Sequence, residues 1–479
     1  MRKEFRAHPL AMAKLIQPFL FVLVIPLIKG LVQYILYRRV SGMVPLSVSA
    51  LVVVLAVTVA RWRAFRLTVE KEMITVHSGF FLAGHAVIPM TKISSVQTEQ
   101  TPLDMLFRAI TYNINTEAGR KGKPDFQFKL SVKDSHKVSQ LLYGDENRTK
   151  IKFSVYKVAV MAATTSSAVT GLIIGAPVIN RAGDLLGLAL SRMLFDEINM
   201  VSSKGIAAYF PSLVNIITLA VILGYGVAFA YSLIRLINFQ LFLGENKLEI
   251  KSGIFVRRRC AFRKDCVNNV RMEQTPLMRL IRRYAMKVSV GGYGDSGRQI
   301  AVVVPCGNRR EVKEQRALFF PLLEPEGKRI HAAADKVTRA RFLFLPTVYG
   351  VSIVCVSLLV GYFFPAFGRL ILFLNVVFLG IDLYFASLCL FNFHHGRIRF
   401  GDTVYARSSK RFNCCEMYCD RQNIGQIKLT RWPADRKYNT CKVSLTVRSE
   451  SADRIRVRHL DYETVRDEIS ACYGISEKF

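Results

Sequence analysis

Apolar and polar positions along this chain follow two different rhythms. Long, nearly charge-free apolar runs span 15–37, 44–60, about 154–179, about 212–237, about 342–364 and about 370–391. Each is close to the roughly 20 helical residues needed to cross a bilayer's hydrocarbon. They fall into pairs, so the chain reads as three membrane hairpins. After each pair the pattern changes to short stretches of period-two alternation, which is the signature of half-buried strands. Examples are FRLTVEKEMITVHSGFF with a turn at Glu70–Glu72, then FRAITYNINTEA and PDFQFKLSV, joined by a polar loop at 119–123. Further examples are AMKVSVGGYGDSGRQIAVVVPC, GRIRFGDTVYARSSKRF and CKVSLTVRS.

Helical spacing closes each strand-rich stretch. Val138, Leu141 and Leu142 share one helical face, with Asp134 or Ser135 as N-cap. Asn308 with Glu311 forms a capping box for a helix through Leu322. A last helix begins near Asp461 and buries Val465, Ile469 and Cys472. The connection 180–211 contains an amphipathic stretch, DLLGLALSRMLFDEI, which reads as an interfacial or loop helix.

The three stretches are related. Glu99-Gln100-Thr101-Pro102-Leu103 returns unchanged 174 residues later as Glu273-Gln274-Thr275-Pro276-Leu277. At the same offset Gly79 meets Gly253, Phe81 meets Phe255, Ile93 meets Val267 and Arg108 meets Arg282. A worn third copy survives as Ile424, Ile427 and Trp432-Pro433. Such repetition predicts one structural unit used three times. Within it, Ile93 and Val96 should face a core, and Gly79 should supply a positive φ. Pro102 should end a strand and open a turn or short helix. The expected fold is a multidomain α+β membrane protein. Transmembrane hairpins at 15–60, 154–237 and 342–391 alternate with soluble domains at 61–150, 238–338 and 394–479.

Charge sharpens this picture. The 479 residues carry a net charge of +32. Nucleic acid and anionic lipid are the usual partners of so basic a chain. Distribution of that charge over a membrane protein favours the anionic leaflet and argues against nucleic acid. Lys and Arg flank the spans mainly on the domain side, at Arg61, Arg63, Arg66, Lys152, Arg235, Lys336, Arg339 and Arg341. The positive-inside rule therefore places the domains in the cytoplasm, with Arg38-Arg39 the exception. Ten scattered cysteines without framework spacing fit reduced thiols.

Residues 238–341 carry a net +12, against +6 for each of 61–152 and 394–479. The excess centres on Arg257, Arg258, Arg259, Arg263 and Lys264, followed by Arg279, Arg282 and Arg283. These form the candidate contact for anionic lipid or a protein partner, since guanidinium forks match phosphate oxygens. A generic solvated basic face is the plainer reading of the same residues. Within the apolar runs, Lys29 and Asp382 are the notable ionisable groups. Such groups point to function or to polar helix–helix contact. Cys414, Cys415, Cys419 and Cys441 lack the spacing of a zinc knuckle, so no metal is expected. The glycine-rich 291–297 lacks the Lys-Ser/Thr ending and the helix of a phosphate loop. No catalytic constellation is visible and no cofactor is expected.

The motif built from Gly79, Phe80, Phe81, Ile88, Pro89, Lys92, Ile93, Val96, Gln100 and Leu103 resembles the bacterial pleckstrin-homology-like membrane family of the YdbS/YdbT type. Gly253, Phe255, Val267, Val270, Gln274 and Leu277 are its second-copy partners. The resemblance implies that each soluble unit is a small bent antiparallel β-sandwich or barrel closed by a C-terminal helix. It implies no enzyme activity. The third unit departs from the pattern, with Thr430 and Arg431 in place of Glu99 and Gln100. The expected function is a non-enzymatic plasma-membrane scaffold that binds a protein partner or anionic lipid. A transporter component working through Lys29 and Asp382 is the alternative.

Overall fold

The computed structural model describes residues 3–13, 43–70, 72–79, 84–116, 124–143, 148–166, 212–290, 302–331, 336–365, 368–410, 412–448 and 453–474, with isolated positions between 16 and 35. The apolar run 15–37 apart from those positions, Lys29, the loop 119–123, the stretch 180–211 and the glycine-rich 291–297 lie outside the described residues.

One order of elements recurs along the chain. The first segment runs β1 Lys3–Arg6, α1 Met43–Ala64, β2 Arg66–Val69, β3 Met73–Ser78, β4 Gly84–Pro89, β5 Ile93–Gln100, α2 Pro102–Leu106, β6 Ala109–Thr116, β7 Phe126–Ser131 and α3 Val132–Tyr143. The second runs β8 Thr149–Lys152, α4 Val155–Thr165, α5 Ser212–Leu236, β9 Gln240–Leu243, β10 Lys247–Ser252, β11 Arg257–Arg263, β12 Val267–Gln274, α6 Pro276–Leu280, β13 Tyr284–Val290, β14 Val302–Gly307 and α7 Arg309–Phe319. The third runs β15 Ile330–His331, α8 Lys336–Phe363, α9 Gly368–His395, β16 Arg397–Arg399, β17 Thr403–Lys410, β18 Asn413–Asp420, β19 Ile424–Thr430, α10 Pro433–Lys437, β20 Thr440–Val447, β21 Asp453–Asp461 and α11 Tyr462–Tyr473.

The sheets do not follow segment boundaries. Strand order is β1-β2-β3-β4, then β7-β6-β5-β11-β10-β9-β8, then β14-β13-β12-β18-β17-β16-β15, then β19-β20-β21. The first four strands of the second segment thus continue the sheet begun by the last three of the first. The third segment joins the second in the same way. The self-contained sandwich per soluble unit that the resemblance implies is corrected to sheets shared between neighbouring segments.

The chain forms two compact units. The first comprises Met1–Lys152, Gln240–Cys266 and Val290–Ser296. Its core joins Phe5, Leu67, Val69, Ile74 and Ile88 from β1–β4 to Ile93, Val96, Tyr112, Ile114, Phe128 and Leu130 from β5–β7. Ile93 and Val96 are buried as expected. Tyr112 stacks on Phe128 at 5.4 Å, and its hydroxyl lies 2.7 Å from Ser135 Oγ and 3.0 Å from Ser139 Oγ on α3. The N-cap of α3 is Ser131, whose Oγ accepts from the Asp134 backbone N–H at 3.1 Å. Neither Asp134 nor Ser135 holds that place, because the helix begins directly at the end of β7.

The second unit comprises Phe153–Phe239, Val267–Ser289 and Gly297–Phe479. Its core gathers Ile398, Val404, Ala406, Cys415, Met417 and Cys419 with Val443, Leu445, Ile455, Val457 and Leu460, closed by Val465 and Ile469 of α11. Asp461 caps α11 by accepting from Thr464 N–H at 2.9 Å. Cys472 is half-buried, at the edge of this core. Helix α7 stops at Phe319 and not at Leu322, because Pro321 disfavours helical backbone at Phe320, where φ is −134°. Among the described residues, two helical stretches, Val337–Phe363 and Leu374–His395, are long and apolar enough to cross a membrane.

Candidate functional site

The repeated pentapeptide builds a short helix after the fifth strand of each segment. Thr101 caps α2, and Thr101 Oγ1 accepts from Asp104 N–H at 3.3 Å while Asp104 accepts from Thr101 N–H at 3.2 Å. Pro102, Pro276 and Pro433 occupy the first turn, where a missing N–H costs nothing. A left-handed residue ends each turn: Arg108 at φ 54°, Arg282 at 54° and Asn439 at 46°. One side of each short helix is buried through Asp104, Met278 or Asp435. Burial by itself would raise the Asp104 carboxyl, but Lys129 and Thr101 hold it below the usual carboxylate range. Asp435 is likewise held low against its burial by the Trp432 backbone and Arg341.

The other side is exposed and apolar. Leu103, Leu106 and Phe107 project from the first copy, with Leu106 at 73% exposure. Leu277, Leu280 and Ile281 project from the second, with Leu280 at 82%. Trp432 and Tyr438 project from the third. Basic residues stand beside them: Arg108 in the first, Arg279, Arg282 and Arg283 in the second, Arg431, Arg436 and Lys437 in the third. In the second unit these short helices are bonded to the long apolar helices. Arg279 Nη1 donates to Ser387 Oγ of α9 at 3.2 Å, with its guanidinium 5.4 Å from the Phe391 ring. Arg341 in the second turn of α8 donates to Asp435 of α10, and to Thr440 Oγ1 at 3.2 Å. Apolar side chains are thus held at the polar ends of the long apolar helices.

The family model for the bacterial PH domain matches residues 20–145 and 198–317. The chain belongs to this family. The bacterial PH domain match covers both intact copies of the pentapeptide and the apolar residues that follow each. The chain is also similar to the UPF0699 transmembrane protein YdbT of Bacillus subtilis (strain 168), at 20% identity over 367 residues, covering 70% of each chain. No solved structure matches significantly. This is a membrane protein carrying bacterial PH domains.

The structure divides the eight basic residues singled out in the sequence of this bacterial PH domain protein. Arg257, Arg258, Arg259 and Arg263 lie on β11, and Lys264 follows it. Arg258 Nη2 donates to Glu99 Oε1 of β5 at 3.0 Å, across the seam between segments. Arg259 Nη2 donates to Glu249 at 2.9 Å, and Arg148 shares that carboxylate at 2.6 Å. Arg263 is held by Asp265 and by the Thr91 carbonyl. Lys264 donates its backbone N–H to Asn246 O at 2.9 Å, and Arg257 is exposed. Arg279, Arg282 and Arg283 instead surround α6. Asp382 is half-buried on α9, and a Cβ added at Gly350 of α8 would lie 3.0 Å from its Oδ2.

Sequence reasoning assigned the pentapeptide to the fold and missed the exposed leucines and Trp432 beside it. The available signal was the recurrence of Leu103 and Leu106 as Leu277 and Leu280, three residues apart on a helix whose opposite side is buried.

Proposed function

We propose that the chain is an integral membrane scaffold of three successive units, each a transmembrane hairpin followed by a cytoplasmic PH-like domain. Each domain lays its short helix on the anionic leaflet. The carrying observation is the exposed apolar side of these helices, flanked by basic residues and, for α6 and α10, bonded to the long apolar helices. Burying one leucine contributes about 1.5–3 kcal/mol at most, and a basic residue near an anionic surface about 1 kcal/mol. In α2, where Arg108 flanks three apolar side chains, insertion outweighs charge. Around α6 the two contributions are comparable. The site offers a surface for lipid, and the role proposed is a non-enzymatic one. The domain-side arginines, among them Arg61, Arg63, Arg235 and Arg341, support the cytoplasmic orientation.

The test uses Trp432 in full-length protein reconstituted in liposomes, with Trp62→Phe removing the chain's other tryptophan. Brominated phospholipid should quench Trp432, and an unquenched Trp432 overturns the reading. Changing Arg279, Arg282 and Arg283 together to Gln should reduce the anionic phospholipid that co-purifies. Half-burial of Asp382 beside Gly350 supports the transporter reading instead. Asp382→Asn would abolish function there and leave a scaffold working.

A further inference from the structure

Neighbouring segments are stitched by one recurring strand pair. The fourth strand of a segment lies antiparallel against the fifth strand of the segment before it, as β11 on β5 and β18 on β12. Three residues separate fourth strand from fifth in every segment, at 90–92, 264–266 and 421–423. Counting from that link makes Val87, Ala261 and Tyr418 equivalent, and likewise Val96, Val270 and Ile427. Both observed pairs keep the same register: Ala261 faces Val96, and Tyr418 faces Val270.

A chain of such joints has two ends. Among the described residues, β4 pairs only with β3 and β19 only with β20. Burial follows this pairing. Ala261 and Tyr418 are 4% and 3% exposed, whereas their equivalent Val87 is 58% exposed. On β4, Gly84, His85, Val87 and Pro89 are all exposed, and on β19 Gly425, Gln426 and Lys428 are exposed. An edge strand with unpaired N–H and C=O groups is a template for another strand. Here the chain itself specifies which strand fits. The β4 edge is the kind that covers a fifth strand, and the β19 edge is the kind that a fourth strand covers.

We propose that β4 of one copy pairs with β19 of a second copy, extending the internal joint into a head-to-tail assembly of this chain. The inherited register sets Val87 against Ile427, His85 against Leu429 and Ile88 against Gln426. The interface is heterologous, because the two edges differ, so copies add in sequence until a ring closes or continue as a filament. This inference rests on strand order and register. It stands whether or not the short helices touch lipid.

The experiment co-expresses two differently tagged full-length copies in one membrane, one carrying Val87→Cys and the other Ile427→Cys. A short bis-thiol reagent is applied and products are separated by mass. The unsubstituted chain, with its own ten cysteines, sets the background. The expected result is a dimer-sized product bearing both tags, several-fold above background. Replacing Ile427→Cys by Gln426→Cys should return it to background, since a one-residue slip points the thiol to the opposite face. Absence of the mixed product overturns the proposal. So does cross-linking between two Val87→Cys copies, which would mean an edge pairing with itself. Capture of a different protein by Val87→Cys with no mixed product also overturns it. A Val87→Cys/Ile427→Cys double variant that links only within single chains does so too.

Discussion

Arg282 shows how one residue serves backbone and surface at once. Its φ of 54° ends the turn after α6, and its side chain is exposed beside Leu280. A left-handed conformation costs an ordinary residue about 1–2 kcal/mol, and glycine none of it, though glycine loses about 0.5–1 kcal/mol in chain entropy. Arg282→Gly should therefore leave thermal stability within about 1 kcal/mol, while lowering retention of anionic phospholipid. Glu416 is a costlier residue to lose. It is buried and accepts from Arg309 at 2.8 Å and Tyr405 Oη at 3.2 Å, with Arg407 Nε 3.3 Å away. Its burial would raise the carboxyl, but Arg407 and Arg309 hold it below the usual range. Glu416→Ala leaves the buried Arg407 guanidinium uncompensated and should cost about 3–5 kcal/mol, measured by denaturation in detergent. His459 gives the fold an acid limit. Burial, with Arg341 nearby, lowers its pKa from 6.5 to about 4. The unfolded chain then binds more protons than the folded one between those values. Stability is full above pH 6.5 and falls as pH drops towards 4. His459→Asn should flatten that fall and keep the left-handed backbone, where His459 has φ 56°. The melting temperature as a function of pH reads both.

At the scale of elements, alternation and end signals carried most of the reading. The turn at Glu70–Glu72, the positive φ at Gly79 and Gly253, and the helix opened by Pro102 all occur where the residues place them. These depend on neighbours a few positions away, so sequence expresses them directly. The cap of α3 did not follow. Ser131, Asp134 and Ser135 all have capping side chains, and only the place where β7 stops selects among them. The α8–α9 pair makes a separate prediction. Gly350 faces Asp382, and a Cβ there would meet its carboxylate at 3.0 Å. Gly350→Leu should force these helices apart and lower the thermal stability of the detergent-solubilised protein, whereas Gly368→Ala, with nothing within 4 Å, should not.

For the whole molecule, recurrence within one chain determined the plan of elements, and tertiary structure decided how they join. The pentapeptide, the paired apolar runs and the strand periodicity set the order of helices, strands and closing helix, whereas the short strands that open the segments, β1, β8 and β15, were evident only in the structure. The net charge of +32 and the resemblance carried by Gly79 to Leu103 pointed to a membrane PH-domain protein. The basic run of β11 looked like one contact surface. Folding spends much of it on ion pairs with Glu99, Glu249 and Asp265. Nor could periodicity tell that β5 would pair with β11. Side-chain alternation states which face of a strand is buried and says nothing about which strand lies at its edge, because backbone N–H and C=O groups are the same in every residue. Edge partnership is chosen by the packing of the whole chain.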